Sequence, residues 1–140
     1  MPDQPFEILE HTADVGLRAR GPSLAALFEN TAAGLLTVGY DPCAVQGRES
    51  RTLSAEGPDR EALLVNWLGE ILWLVDGEGW LPSSVQVNQI SATRVTGIAR
   101  GEPRDPSRHL LRMIIKAVTY HLLSVREQDG TWVAEVYLDI

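Results

Sequence analysis

Apolar and polar positions alternate through Phe6-Glu7-Ile8-Leu9 and again through Val15-Gly16-Leu17-Arg18-Ala19-Arg20, the two-residue period of short strands with one buried face. Gly21-Pro22 breaks the pattern and Ser23 is placed to cap a helix. Leu24, Leu27, Phe28, Leu35 and Leu36 then recur at helical spacing with Ala32 between them, which predicts a first amphipathic helix ending near Gly39. A strand is predicted from Arg48 to Glu56. Asp59 is set to cap a second helix, whose Leu64, Trp67, Leu68, Ile71, Leu72 and Val75 form an unbroken apolar stripe. A tryptophan at that spacing is core. Val85, Val87 and Ile90, in a run beginning at Ser83, and then Thr93 to Arg100 predict two more strands, followed by a polar, proline-broken loop over 101–107. Ile114 to Glu127 and Thr131 to Ile140 are rich in β-branched and aromatic residues, and the Asp129-Gly130 pair between them is a strong hairpin signal.

The order is therefore β-β-α-β-α followed by four strands, and the helices need a sheet face to cover. That is an α+β fold: one domain over residues 1–140, a β-sheet with two amphipathic helices and a C-terminal β-hairpin. A chain of 140 residues with 44% apolar content has the material for one such core. It contains no apolar run of the roughly 18 residues that a membrane span needs, and Met1 to Pro5 lacks the basic-then-apolar order of a secretory signal, so a cytoplasmic protein is expected. Charge narrows the partners. A net −7 sets up a negative field that opposes direct binding of a phosphate backbone, so no direct nucleic-acid contact is expected. The single cysteine, Cys43, follows Asp41-Pro42 and is read as inert. Eleven of the twelve basic residues are arginine, which makes Lys116, the only lysine, a residue to follow.

If Asp129 and Gly130 are the two turn residues, Gln128 pairs with Thr131, and the register then sets Tyr120 opposite Asp139 and Thr119 opposite Ile140. The Asp139 side chain and the α-carboxylate of Ile140 would put two anionic groups at one strand end, where they repel unless a cation neutralises them. A hard cation with oxygen ligands, such as calcium, would suit them if a third carboxylate came near; a solvated chain end is the alternative. His11-Thr12-Ala13-Asp14 has the residue types of an acid–base pair or a metal site, although Asp and Thr in such connections also bond nearby backbone. His11, His109 and His121 match no zinc spacing, and there is no phosphate-binding glycine loop, G-x-S-x-G or C-x-x-C.

Over nearly its whole length the sequence resembles the archease family. His11-Thr12-Ala13-Asp14-Val15-Gly16 is similar to the family's opening H-T-A-D-hydrophobic-G motif, and Leu63-Leu64-Val65-Asn66-Trp67-Leu68 to its second helix. Lys116-Ala117-Val118-Thr119-Tyr120-His121 resembles its K-A-x-T-Y-H segment, and Asp139-Ile140 its ending on aspartate and an aliphatic residue. From about Asp41 to Pro58 and from Gly101 to Arg108 no family signature is evident. The resemblance implies an accessory protein that binds a divalent metal, calcium in a relative. It also implies that the protein stimulates an RtcB-type RNA-splicing (tRNA) ligase by promoting guanylylation of that ligase's active-site histidine, permitting multiple turnover. By motif, Asp14, Asp139 and the C-terminal Ile140 would be metal ligands and Lys116 the residue needed for ligase activation. His11, Thr119 and His121 would lie nearby, in packing or in support of the ligands. Two other classes stay open: a small metal-dependent hydrolase using Asp14, Asp139 and a histidine, and a chaperone-like modulator of several RNA-processing proteins, which the resemblance also permits.

Overall fold

The computed structural model describes residues 4–10 and 14–140, so His11 and its neighbours at 12 and 13 lie outside the described residues. Ser23 begins the first helix as its spacing predicts: its Oγ accepts from the Ala26 N–H at 3.1 Å. Asp59 does the same for the second, accepting from the Ala62 N–H at 2.8 Å. Each cap satisfies a backbone donor that the first helical turn leaves without a partner. The elements run β1 (Phe6–Glu10), β2 (Asp14–Gly21), α1 (Leu24–Gly39), a 3-10 turn (Pro42–Ala44), β3 (Glu49–Glu56), α2 (Arg60–Leu72), a π-helical turn (Trp73–Gly77), β4 (Trp80–Ile90), β5 (Arg94–Pro103), β6 (Ala117–Gln128) and β7 (Thr131–Asp139).

The strands form two antiparallel sheets, ordered β1-β2-β7-β6 and β3-β5-β4, rather than one. The helices join them into a single core: α1 packs on β1 and β2 and reaches β4, while α2 lies against β3 and β6. Leu17 of β2, Val136 and Leu138 of β7, Val95 and Ala99 of β5, and Leu27, Phe28, Leu64, Trp67 and Leu68 of the helices are all fully buried together. Each large side chain so removed from water contributes about 1.5–3 kcal/mol. Trp67 ties the two helices together, its indole N–H donating to the Phe28 carbonyl at 3.3 Å. Among the described residues no helix is long and apolar enough to cross a membrane.

Three further sequence expectations change. Strand β4 starts at Trp80 instead of Ser83, and β5 continues through the expected loop to Pro103, because a register shift between Pro82 and Ser84 lets pairing run on from Pro82–Gly101 to Trp80–Pro103. The apolar stripe of the second helix does reach Val75, but its last turn is π-helical. Within that turn Trp73 is 60% exposed while Leu74 is buried. In the C-terminal hairpin, Asp129 and Gly130 are the turn, both at positive φ (54° and 80°) as a type I′ turn requires. The predicted register holds from Gln128–Thr131 to Ser124–Glu135 and then fails. Pairing resumes at Thr119–Tyr137, five steps along β6 against two along β7, so β6 carries three extra residues in a bulge. Leu122, at φ 55°, makes the bend. Ala117, not Tyr120, therefore stands opposite Asp139, and Thr119 opposite Tyr137, not Ile140.

Candidate metal site at the ends of β2 and β7

Strand β2 runs antiparallel to β7, with Val15 opposite Leu138, Leu17 opposite Val136 and Ala19 opposite Ala134. All six are buried, so these positions face the helices. The intervening positions face outward, and there Arg18 pairs with Glu135 (3.4 Å) across the strands and with Glu7 of β1 (3.2 Å). The Glu7 carboxylate first, and Glu135 with it, pushes the Arg18 guanidinium pKa further up. At the end of the same outward row Asp14 stands directly opposite Asp139, with Ala117 of β6 beyond. Side chains so opposed have Cβ atoms about 4.5–5.5 Å apart.

Neither carboxylate has a cationic side-chain partner among the described residues. Two like charges in register fit a hard cation bound by oxygen, and that donor set is of the kind calcium takes. Two side chains do not complete such a site. No group of three or more His, Cys, Asp or Glu is gathered among the described residues, so further ligands would be main-chain oxygens, water or the carboxylate of Ile140.

One pair along the row, Gly16, Tyr137 and Thr119 are in register across three strands. A Cβ on Gly16 would come within 2.7 Å of the Tyr137 ring, which is why glycine closes the H-T-A-D-V-G motif. The His121 ring meets Tyr137 edge-on at 6.2 Å, and the His121 backbone N–H donates to Thr119 Oγ1 at 3.3 Å. The bulge thus returns Thr119 and His121 to the face that carries Asp14 and Asp139. The three histidines are not a zinc trio: His121 sits here, whereas His109 is buried elsewhere.

Lys116 touches the same strand end through its backbone, its N–H donating to the Asp139 carbonyl at 2.7 Å. Its side chain goes elsewhere. It lines a cleft of about 600 Å³ between α2, the end of β3 and the start of β6, together with Glu56, Glu70, Trp73 and Asp76. Ile140, 37% exposed, lines a hollow at that strand end with Leu111, Met113 and Ile114 and with the two arginines Arg104 and Arg112.

Sequence reasoning missed a buried ionic cluster in the segment without family signature. Glu102 is fully buried; its Oε2 accepts from the Gln46 N–H and from His109 Nε2, both at 2.9 Å, and its Oε1 meets Arg108 (3.0 Å) and Arg48 (3.2 Å). The Gln46 N–H first, then Arg108 and His109, hold its pKa down at about 2. His109 Nδ1 accepts from the Asp105 N–H at 2.8 Å, which leaves the proton on Nε2 facing Glu102. Every member of the cluster is bonded to another part of the chain. It therefore clasps the loop after β5 to the segment before β3.

The archease protein family model matches residues 6–140. Protein archease of Methanopyrus kandleri is 39% identical over 139 residues, covering 97% of this chain and 99% of that protein. Protein archease of Thermococcus gammatolerans is 39% identical over 140 residues, covering 96% and 98%. The solution structure of protein 1598 of Methanobacterium thermoautotrophicum superposes with a TM-score of 0.80 at 33% identity over 98% of this chain and 99% of that one. The crystal structure of an archease, described as a possible chaperone, from Thermotoga maritima shares the fold with a TM-score of 0.68 at 20% identity, over 94% of each chain.

Proposed function

Since the chain belongs to the archease family, we propose that it is a cytoplasmic, metal-binding accessory protein that activates an RtcB-type RNA-splicing ligase by promoting its guanylylation and multiple turnover. The observation that carries this reading is the registered pair Asp14–Asp139, two carboxylates from distant parts of the chain, on one outward face and without a cation among the described residues. With the α-carboxylate of Ile140 they would hold a divalent metal, calcium by preference, because all the donors are hard oxygens. Bound there, the cation supplies charge neutralisation and ties β2 to β7.

Lys116 would act on the ligase. As an exposed lysine in a chain otherwise served by arginine, it offers a compact ammonium with three donors. Thr119 and His121 support the shape of the carboxylate face, and His11 belongs to the motif that carries Asp14. The −7 charge favours contact with a basic protein surface over contact with RNA.

The test is a turnover assay with the ligase of the same organism, run with and without this protein and with and without calcium. The ligase alone should stop after about one round and resume when the protein is added, with guanylylated ligase accumulating faster. Equal multiple-turnover rates with and without the protein would overturn the reading. Capture of many unrelated clients, with no preference for the ligase, would favour a general chaperone instead.

A further inference from the structure

Of the four tryptophans, three are occupied within the chain. Trp67 is fully buried; Trp80 lies under Arg51, whose guanidinium carbon is 4.8 Å from the ring centroid, and Trp132 lies under Arg60 at 5.0 Å. Trp73 differs. It is 60% exposed, and among the described residues no cation stands over it.

This indole is nonetheless held in place. A Cβ built on Gly77 would lie 2.5–2.6 Å from three atoms of the Trp73 ring, Cε3, Cδ2 and Cζ3, so one face of the ring rests on bare glycine backbone. The turn that carries both residues is π-helical, an irregularity often found at functional positions. The ring borders the cleft that Lys116 lines, and the other charged groups there are Glu56, Glu70 and Asp76. Three carboxylates against one ammonium make the cleft negative in a chain already at −7. Both strands that bound it, β3 and β6, are sheet edges.

We infer that this cleft docks an arginine side chain from an extended segment of the partner ligase, with its guanidinium stacked on the open face of Trp73 and bonded by Glu70 and Asp76. Arginine fits better than lysine because a planar, weakly hydrated guanidinium can stack and bond carboxylates at once. The chain itself uses that contact at Trp80 and Trp132. The inference rests on the reading of this protein as a ligase activator and locates its contact: an arginine anchored at Trp73 brings the partner's surface beside Lys116 on the opposite wall.

Two measurements test it on the full chain. In the first, N-acetyl-arginine methylamide is titrated while the indole N–H resonance of Trp73 is followed by NMR. A saturable shift is expected, weaker with the lysine analogue and absent in the Glu70→Gln/Asp76→Asn double variant. In the second, calorimetry follows binding to the ligase of the same organism. Trp73→Ala should weaken it at least tenfold, and Gly77→Ala, which displaces the ring without removing it, should weaken it less, with calcium affinity unchanged in both.

A ligase that binds wild type and Trp73→Ala equally, or a Trp73 resonance that arginine does not move, overturns the inference while leaving the activator reading intact. A resonance that responds to arginine in a protein that fails to bind the ligase removes the activator reading, and with it the ligase as occupant. Concentration-dependent dimers abolished by Trp73→Ala would assign the cleft to a second copy of this chain and also overturn the inference.

Discussion

Asp14 and Asp139 face each other across β2 and β7, at the last paired position of both strands and on the side of the sheet away from the helices. Without a cation this pair works against the fold, since like charges directly opposite in a sheet are destabilising. Replacing either by its amide, Asp14→Asn or Asp139→Asn, should raise the melting temperature of the calcium-free protein slightly and abolish the further rise on adding calcium. Thermal scans with and without calcium check both halves. A variant that is less stable without calcium and still stabilised by it would exclude the pair as a metal site.

Glu102 sets the acid limit of the fold. Its ordinary pKa of 4.5 is lowered to about 2 in the folded chain by the Gln46 N–H, Arg108 and His109. A carboxylate lowered in this way contributes stability in full above its unfolded value, and loses that contribution as pH falls from about 4.5 to about 2. The urea midpoint of wild type should therefore drop steeply across that window. Glu102→Gln should begin lower at neutral pH and fall less across the same window, because the amide has no proton to take up. Parallel pH profiles for the two proteins would show that Glu102 is not responsible.

The bulge in β6 gives a stability prediction with the opposite sign from most substitutions. Leu122 is 59% exposed and holds φ at 55°, a region that costs a residue with a Cβ about 1–2 kcal/mol. Leu122→Gly should stabilise the protein by up to about 1 kcal/mol after glycine's own entropy cost. Leu122→Val, β-branched at the same φ, should destabilise it. Urea unfolding of the pair gives both signs.

The same bulge marks where sequence reading stops. Caps, helix stripes and the Asp129-Gly130 turn are local chemistry, and each was legible: Ser23, Asp59 and Gly130 do what their types require. The register beyond Ser124 was not, because no glycine or proline announces the three extra residues and a leucine makes the bend. The division into two sheets was equally hidden, since it depends on β2 choosing β7 over a hundred residues away, and that pairing is what sets Asp14 against Asp139. Trp73 was hidden for a different reason: it lies off the apolar stripe that runs on to Val75, so the spacing does not single it out, and the π turn that seats the indole on Gly77 leaves no mark in the helical period.

Lys116 and the carboxylate pair share a strand end but not a face, and this should separate their phenotypes. The Lys116 backbone N–H is bonded to the Asp139 carbonyl, so the lysine is anchored within one hydrogen bond of the candidate metal site. Its side chain, however, lines the α2 cleft with Glu70, Trp73 and Asp76, on the far side of the sheet from the row that carries Asp14 and Asp139. Truncating it removes an exposed side chain and leaves the backbone bond. Lys116→Ala should therefore keep wild-type calcium affinity and melting temperature, the latter within the roughly 0.5 kcal/mol typical of surface changes, while cutting ligase guanylylation at least tenfold. Lys116→Arg should restore only part of the activity, because a planar fork does not reproduce a compact ammonium. Asp14→Asn should show the reverse split in calcium calorimetry, losing affinity with Lys116 untouched. If Lys116→Ala instead lowers calcium affinity as much as Asp14→Asn does, the lysine acts through the metal site and the cleft has no separate part in activation.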